Sequence, residues 1–199
     1  MTKDNLKKIK RGVVMKQALL IIDAQQDLIE GNEQEGSVFR KEKLIENINI
    51  VVKKAVESDA LIIFVRDTDV AEGEGKGFQV HRDITIPTDS KKFDKAATNS
   101  FYGTGLKEYL DKHEIKHVVI MGCQTEHCID TAVRTATVSQ LDVTLVGDGH
   151  STTGSSVLPA EQIINHHNKI LHGHYNVDNF SMVRNADEDL FQPEHDMHR

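Results

Sequence analysis

The chain has 199 residues, of which 38% are hydrophobic and 28% charged, and its formal net charge is −7. This length and composition indicate one globular domain with a sizeable core, and an acidic chain of this kind is not expected to bind nucleic acid. No apolar run reaches the roughly 18 residues that a membrane-spanning helix needs, so we expect no membrane partner either.

The charge is distributed unevenly along the chain. Residues 1–15 carry five basic side chains against Asp4, a net of +4, which leaves −11 for the remainder. We predict that this segment is a basic, flexible extension, because short charged termini are commonly disordered. It lacks the apolar core of a secretory signal, and Cys123 and Cys128 make no disulfide framework. A cytoplasmic location is the expectation.

Apolar runs alternate with helical periodicities along the chain. The predicted elements, in chain order, are a strand at 18–22, a helix near 40–57, a strand at 61–65, irregular functional loops at 67–100, a helix at 104–113, a strand at 118–121, a helix at 128–140, a strand at 143–146, a helix from 159 to 171 and a final strand near 177–183.

This alternation indicates an α/β domain with a doubly wound, mostly parallel sheet and helices on both faces. We predict a single domain over residues 16–185, followed by a polar C-terminal tail at 186–199. In such sheets ligands bind beyond the carboxyl ends of the strands. Asp23, Asp67 and Asp148 each follow a predicted strand, and the segment that contains Cys128 follows another. We therefore expect these four groups to converge at one edge.

Cys128 is the candidate nucleophile. It lies at the predicted start of a helix, where backbone N–H groups and the helix dipole favour the thiolate over the thiol. Cys123, at the end of the preceding strand, is interpreted as a small buried core residue. Adjacent residues at a helix start generally point apart, so His127 is interpreted as part of the pocket wall rather than as the base.

Asp23 is the candidate base. An isolated aspartate after a strand commonly caps a turn. Here the fully apolar run before it predicts a partly buried carboxylate, whose pKa is raised by desolvation and which can accept a proton. A cation should then stabilise the thiolate, and Lys91, Lys92 and Lys95 all precede the aromatic-containing turn at 98–104. The residues by themselves do not select one of these lysines.

Together these segments resemble the isochorismatase-like cysteine hydrolases, which include nicotinamidases, carbamoylsarcosine amidohydrolases and streptothricin hydrolases. The resemblance extends from residue 16 to about residue 183. It rests on ALLIIDAQQD at 18–27, on Lys95 followed by SFYGTGL at 100–106, and on GCQTEHCIDTA at 122–132. The stretches at 148–152 and 160–168 are most similar to the streptothricin-hydrolase-like branch.

The resemblance implies a catalytic triad of Asp23, Lys95 and Cys128. In the family the thiolate attacks an amide-type carbonyl, the aspartate shuttles the proton, the amine or ammonia leaves, and water hydrolyses the thioester. The resemblance also implies an oxyanion hole made by the backbone N–H groups of Gln124 and Cys128, aimed by a cis peptide bond between Cys123 and Gln124. The spacing from Lys95 to the following serine is slightly long, so Lys91 and Lys92 stay open as substitutes.

The substrate pocket is expected to include Gln25, Phe101 and His127, and analogy with the family implies a homo-oligomer, either a dimer or a tetramer. Nicotinamidases bind a metal through an aspartate and histidines after the second strand. Here Asp69 takes the histidine position, and His81 is the only histidine in the 67–100 stretch. We therefore expect no metal, no other cofactor and a substrate other than nicotinamide.

The leading hypothesis is a cofactor-independent cysteine amidohydrolase that acts on a small molecule. Two alternatives stay open. One is isochorismatase-type vinyl ether hydrolysis, and the other is a catalytically idle scaffold or binding member of the family. The sequence does not identify the substrate.

Overall fold

The computed structural model describes residues 16–32, 35–191 and 195–198. The predicted basic extension at 1–15 lies outside the described residues. The strands are β1 (Gln17–Ile22), β2 (Leu61–Asp67), β3 (Lys91–Lys95), β4 (His117–Cys123), β5 (Asp142–Ser151), β6 (Tyr175–Asn176) and β7 (Asn179–Arg184). They form a seven-stranded sheet in the order β3-β2-β1-β4-β5-β7-β6. All neighbours are parallel except the antiparallel pair β6 and β7.

Helices cover both faces of this sheet. They are α1 (Gln26–Glu30), α2 (Lys41–Glu57), α3 (Gly75–Phe78), α4 (Leu106–Lys112), α5 (Asp130–Val138) and α6 (Ala160–Leu171). On one face Leu19 and Ile21 of β1 pack with α2, and on the other face Leu20 and Ile22 pack with α4 and α5. The predicted α/β fold with a mostly parallel sheet is therefore confirmed. Among the helices of the described residues, none combines the length and the hydropathy that a membrane span requires.

Strand β3 lies in the segment that we predicted as loops. Its sequence is KKFDK, in which only Lys95 is buried, so it carries no apolar signal. At the edge of the sheet β3 pairs with β2 alone, which relieves it of the need for two apolar faces. The pairing sets Asp67 beside Lys95 in register.

Strand β5 continues to Ser151, beyond the predicted end at residue 146. Its pairing with β4 shifts register between Ile120, which pairs with Leu145, and Gly122, which pairs with His150. Asp148 lies in this irregular stretch, where its carboxylate accepts a hydrogen bond from the N–H of Ala186 (2.8 Å). Asp148 lines a different cavity from the one beside Cys128, so the expectation that it joins the other groups at one edge was wrong.

The C-terminal segment packs onto the domain where we predicted a polar tail. Ala186, Leu190 and Phe191 are buried in the core on the α2 face of the sheet. The ammonium of Lys54 donates to the carbonyl oxygens of Ala186 (2.6 Å) and Glu188 (2.8 Å). Three apolar side chains and the hydrogen bonds from Lys54 thus attach residues 186–191 to the fold.

Candidate active site

Asp23, Asp67 and Cys128 meet at the carboxyl edge of the sheet. Strands β2 and β4 flank β1, so the residues at the ends of these three strands or just beyond them become neighbours. One potential ligand atom from each of the three side chains lies within 4.8 Å of the other two. The edge that the strand pattern predicted therefore carries a compact cluster of two carboxylates and a thiol.

Lys95 inserts its ammonium into this cluster. Its Nζ atom lies 3.0 Å from Asp23 Oδ2 and 3.3 Å from Cys128 Sγ, and it also donates to Asp67 Oδ2. The Lys95 side chain is fully buried, whereas Lys91 and Lys92 on the same strand are exposed. Lys95 is thus the lysine that the fold brings to Asp23 and Cys128.

Burial dominates the ionisation of Asp23. The residue is 1% exposed, and desolvation raises its pKa to about 6, although the charge of Lys95 opposes this shift. Burial alone would lower the pKa of Lys95, but the negative charge of Asp23 and the hydrogen bonds to Asp67 and Asp23 contribute to raising that pKa above its ordinary value. At neutral pH the pair is therefore a carboxylate and an ammonium, and the carboxylate has an affinity for a proton well above that of an ordinary aspartate.

The ionisation of Cys128 differs from the expectation at a helix start. Burial and the negative charge of Asp23 raise its pKa to about 12, against the lowering effect of Lys95. Cys128 lies in a π-type turn, Thr125–Ile129, that directly precedes α5, which begins at Asp130. Desolvation there exceeds the stabilisation that the helix dipole offers. The resting residue is therefore a thiol, and it lies close to the ionised carboxylate of Asp23.

The turn that carries Cys128 has an unusual backbone. The peptide bond between Cys123 and Gln124 is cis, as the family resemblance implied. The carbonyl oxygen of Gln124 accepts hydrogen bonds from the N–H groups of His127 (3.1 Å) and Ile129 (3.2 Å), on either side of Cys128. Cys123 itself is fully buried in β4, and both cysteines are free thiols, in line with its interpretation as a core residue.

A buried histidine holds this turn, and the sequence analysis did not identify it. His150 Nδ1 lies 2.9 Å from Thr125 Oγ1, and His150 Nε2 lies 2.9 Å from Asn168 Oδ1. Asn168 donates its amide to the Gly147 carbonyl (2.8 Å), so its oxygen accepts from Nε2–H and leaves Nδ1 to accept from the threonine hydroxyl. Burial lowers the pKa of His150 to about 4, which keeps the ring neutral at physiological pH.

A cavity of about 360 Å³ opens beside Cys128. Its lining residues are Asp23, Asp27, Leu28, Gly31, Asn32, Glu35, Asp67, Asp69, Val70, Ala71, Gln124, His127 and Cys128. His127 is exposed in this wall, at the position predicted for it. The cavity therefore gives a small molecule access to the sulfur atom.

Two residues predicted for the pocket lie elsewhere. Gln25 is fully buried, donates its amide to the carbonyls of Asp67 (3.0 Å) and Phe78 (2.9 Å), and accepts from the Asp67 N–H (2.7 Å). It fixes the end of β2 instead of lining the cavity. Phe101 packs against the core cluster beside α4 and α5. Sequence proximity to the motifs did not reveal these tertiary contacts.

The residues present do not fit a metal site of the nicotinamidase type. Both ring nitrogens of His81 are engaged, Nε2 with Glu30 Oε1 (2.9 Å) and Nδ1 with the Asp83 N–H (3.2 Å). Asp23, Asp67 and Cys128 could together ligate an ion, but the Lys95 ammonium contacts all three. The cation that balances this cluster is part of the chain.

Comparison with known proteins places this geometry in context. A family model described as the isochorismatase domain matches residues 17–160. An uncharacterised isochorismatase family protein of Bacillus subtilis strain 168, YrdC, is 29% identical over 145 residues, which cover 70% of this chain and 75% of that protein.

Solved structures agree with the family match. The structure of an isochorismatase hydrolase from Oleispira antarctica is 26% identical, with a TM-score of 0.78, and covers 88% of this chain and 96% of that one. An N-carbamoylsarcosine amidase from Thermoplasma acidophilum has a TM-score of 0.68 at 20% identity, over 88% of this chain and 99% of its own. At 20% identity, the similarity to the amidase shows a shared fold alone.

Proposed function

The chain belongs to the isochorismatase family, and we propose that it is a cysteine hydrolase that cleaves an amide-type carbon–nitrogen bond of a small molecule. The observation that carries the proposal is the buried Lys95 ammonium, 3.0 Å from Asp23 Oδ2 and 3.3 Å from Cys128 Sγ, beside an open cavity. A base, a nucleophile and a counter-charge thus share one contact network.

The first step of the proposed reaction is attack by Cys128. With a pKa of about 6, Asp23 is ionised at neutral pH, and it takes the thiol proton as Sγ bonds to the substrate carbonyl carbon. Oδ1 of Asp23 is buried and has no hydrogen-bond partner among the described residues, so it has a lone pair free to accept this proton. Lys95 offsets the negative charge that develops on sulfur.

The second step releases the nitrogen. In our proposal the backbone N–H groups of Gln124 and Cys128 bind the oxyanion of the tetrahedral intermediate. Protonated Asp23 then gives its proton to the leaving nitrogen, the carbon–nitrogen bond breaks, and ammonia or an amine departs. Asp23 next deprotonates a water molecule that attacks the thioester, which releases the carboxylic acid and returns the proton to Cys128.

The charge of the cavity disfavours vinyl ether hydrolysis of isochorismate. Isochorismate carries two carboxylates, and five of the cavity's lining residues are aspartate or glutamate. Binding a dianion there would bring like charges together at high cost. The buried Lys95 also disfavours an idle scaffold. Withdrawing its ammonium from water costs free energy, and a scaffold without catalysis has no need for a buried cation at this place.

Ammonia release from a panel of small primary amides tests the proposal. We expect turnover of at least one amide, its loss in Cys128→Ala and Lys95→Ala, and its retention in Lys91→Ala, whose exposed side chain is the matched control. Thermal unfolding should show that the Cys128→Ala fold survives. Full activity of the Cys128→Ala protein on an amide that the wild type hydrolyses would refute the proposal.

A further inference from the structure

The cavity beside Cys128 has an excess of negative charge. In the part of the chain that the structure describes, five of its thirteen lining residues are acidic, and none is a lysine or an arginine. Lys95 lies beneath the cavity, but it is already paired with Asp23 and Asp67. Asp27, Glu35 and Asp69 therefore line the cavity without a cationic partner among the described residues. No ion pair of the described residues includes any of the three.

Asp27 lines this wall and also lies against Gly77. It lies in the first turn of α1, and a Cβ atom added at Gly77 would lie 2.0 Å from Asp27 Oδ2. The absence of a side chain at Gly77 thus leaves the space that the carboxylate occupies. Asp69 lies just beyond β2, where its N–H donates to Asp67 Oδ1 (3.0 Å) and its own carboxylate stays exposed.

At the deep end of the same cavity, one carboxylate oxygen has no hydrogen-bond partner among the described residues. Asp23 lines the cavity, is 1% exposed, and its Oδ1 atom has no hydrogen-bond partner in the described part of the chain. Buried carboxylate oxygens are normally satisfied, so this one can accept the N–H of a ligand amide before it takes the thiol proton. A ligand that complements this cavity therefore offers an N–H donor to Asp23, beside the nucleophile, and a positive charge to the carboxylates at the wall.

We propose that the substrate is an amide that carries a cationic group, an ammonium or a guanidinium, and that Asp27 and Asp69 bind this group while the amide lies at Cys128. This inference rests on the proposed hydrolase function and names the substrate class of that site. A cleft lined by charge of one sign focuses its field on the ligand, so it attracts cations and repels anions. Asp27 and Asp69 act as specificity-determining residues, and they leave the chemistry to Asp23, Lys95 and Cys128.

Thiol reagents of opposite charge test the field of the cavity without any hydrolysis. A methanethiosulfonate reacts with Cys128 when the thiolate displaces methanesulfinate and forms a mixed disulfide. We would compare the trimethylammonium-ethyl and sulfonatoethyl reagents, normalise both rates to free 2-mercaptoethanol, and map the labelled cysteine by mass spectrometry. Cys123 is fully buried and should not react. The normalised cation preference should be about 100-fold in the wild type.

Three variants assign this preference to residues. Asp27→Asn combined with Asp69→Asn should reduce it about 10-fold, and raising the salt concentration should weaken it in the wild type. Gly77→Ala keeps every charge but displaces the Asp27 carboxylate, so it should reduce the preference about 3-fold. Asp59→Asn removes the same charge at an exposed position away from the cavity and should change nothing.

Hydrolysis then tests the substrate class itself. We would measure kcat/KM for 4-aminobutanamide, for the isosteric neutral pentanamide and for the anionic succinamate. The cationic amide should exceed the neutral one by about 10-fold or more, and Asp27→Asn with Asp69→Asn should remove this advantage by raising KM. Equal normalised reagent rates in the wild type, or a preference that the double variant leaves intact, would overturn the inference.

The two proposals fail in different ways. If no amide is hydrolysed while the reagent preference follows Asp27 and Asp69, the cation site stands and the hydrolase function falls. If amides are hydrolysed but pentanamide or succinamate is preferred, the hydrolase function stands and the cation site falls.

Discussion

Replacing Lys95 by methionine removes the ammonium and keeps a side chain of similar length. Nζ lies 3.0 Å from Asp23 Oδ2 and 3.3 Å from Cys128 Sγ. At an effective dielectric constant of about 20, a charge pair at this distance is worth about 5 kcal/mol, which is an upper bound for a site that relaxes. A quarter of that attraction is equivalent to about 1 pKa unit. Lys95 lowers the pKa of Asp23, so the loss of the Lys95 ammonium should raise the Asp23 pKa from about 6 by about 1 unit or more.

The assay is kcat/KM against pH between 4.5 and 9 at constant ionic strength. The wild-type rate should fall tenfold per pH unit below about 6, because only ionised Asp23 can accept the thiol proton. Lys95→Met should shift this acid limb upward by about 1 unit or more and lower the plateau about 10³-fold, because the developing thiolate loses its counter-charge. Lys91→Met is the matched control. An acid limb that stays near 6, with more than a tenth of the plateau retained, would refute this account.

Three further predictions concern the surrounding structure. As the pH falls from 6.5 to 4, the unfolding free energy should decrease by up to about 3 kcal/mol through His150, because its folded pKa of about 4 makes the unfolded chain bind more protons in this window. Urea titrations should show a smaller decrease in the unfolding free energy of His150→Gln. Dialysis against EDTA should leave the activity unchanged, because Lys95 contacts the groups that would ligate a metal, and a loss that zinc restores would contradict this. Gly122→Ala should cost about 3 kcal/mol or more of stability or prevent folding, because its Cβ would lie 1.9 Å from the Ile22 carbonyl oxygen, whereas Gly36→Ala, which has open space, should not.

The parts of the fold with strong hydrophobic runs could be predicted from the sequence. Strands β1 and β4 are continuous apolar segments buried on both faces, and their pattern indicates a parallel sheet. Strand β3 could not be predicted in this way, since KKFDK buries only Lys95 and exists through its pairing with β2. The extension of β5 to Ser151 likewise depends on a register shift against β4 that no local pattern encodes.

For the candidate site, too, local sequence features were predictable and tertiary contacts were not. The residue types of Asp23, Lys95 and Cys128 stand out in their motifs, and the fold brings them together. The direction of the Cys128 pKa shift was not predictable, because it depends on desolvation and on Asp23, which are products of tertiary structure. The position of Gln25 beneath Asp67 and the support of the turn by His150 are likewise tertiary contacts, across 42 and 25 residues of sequence.

The central claim, that Cys128 is a nucleophile which forms a thioester, has a direct test. A single-turnover reaction with an amide that the wild type hydrolyses would be quenched in acid and digested, and the peptides would be weighed. The account predicts the acyl group on the peptide that contains Cys128, and its absence when Asp23→Asn protein is treated in the same way. Hydrolysis that proceeds in the wild type without any acyl group on Cys128, and that survives Cys128→Ala, would contradict the account.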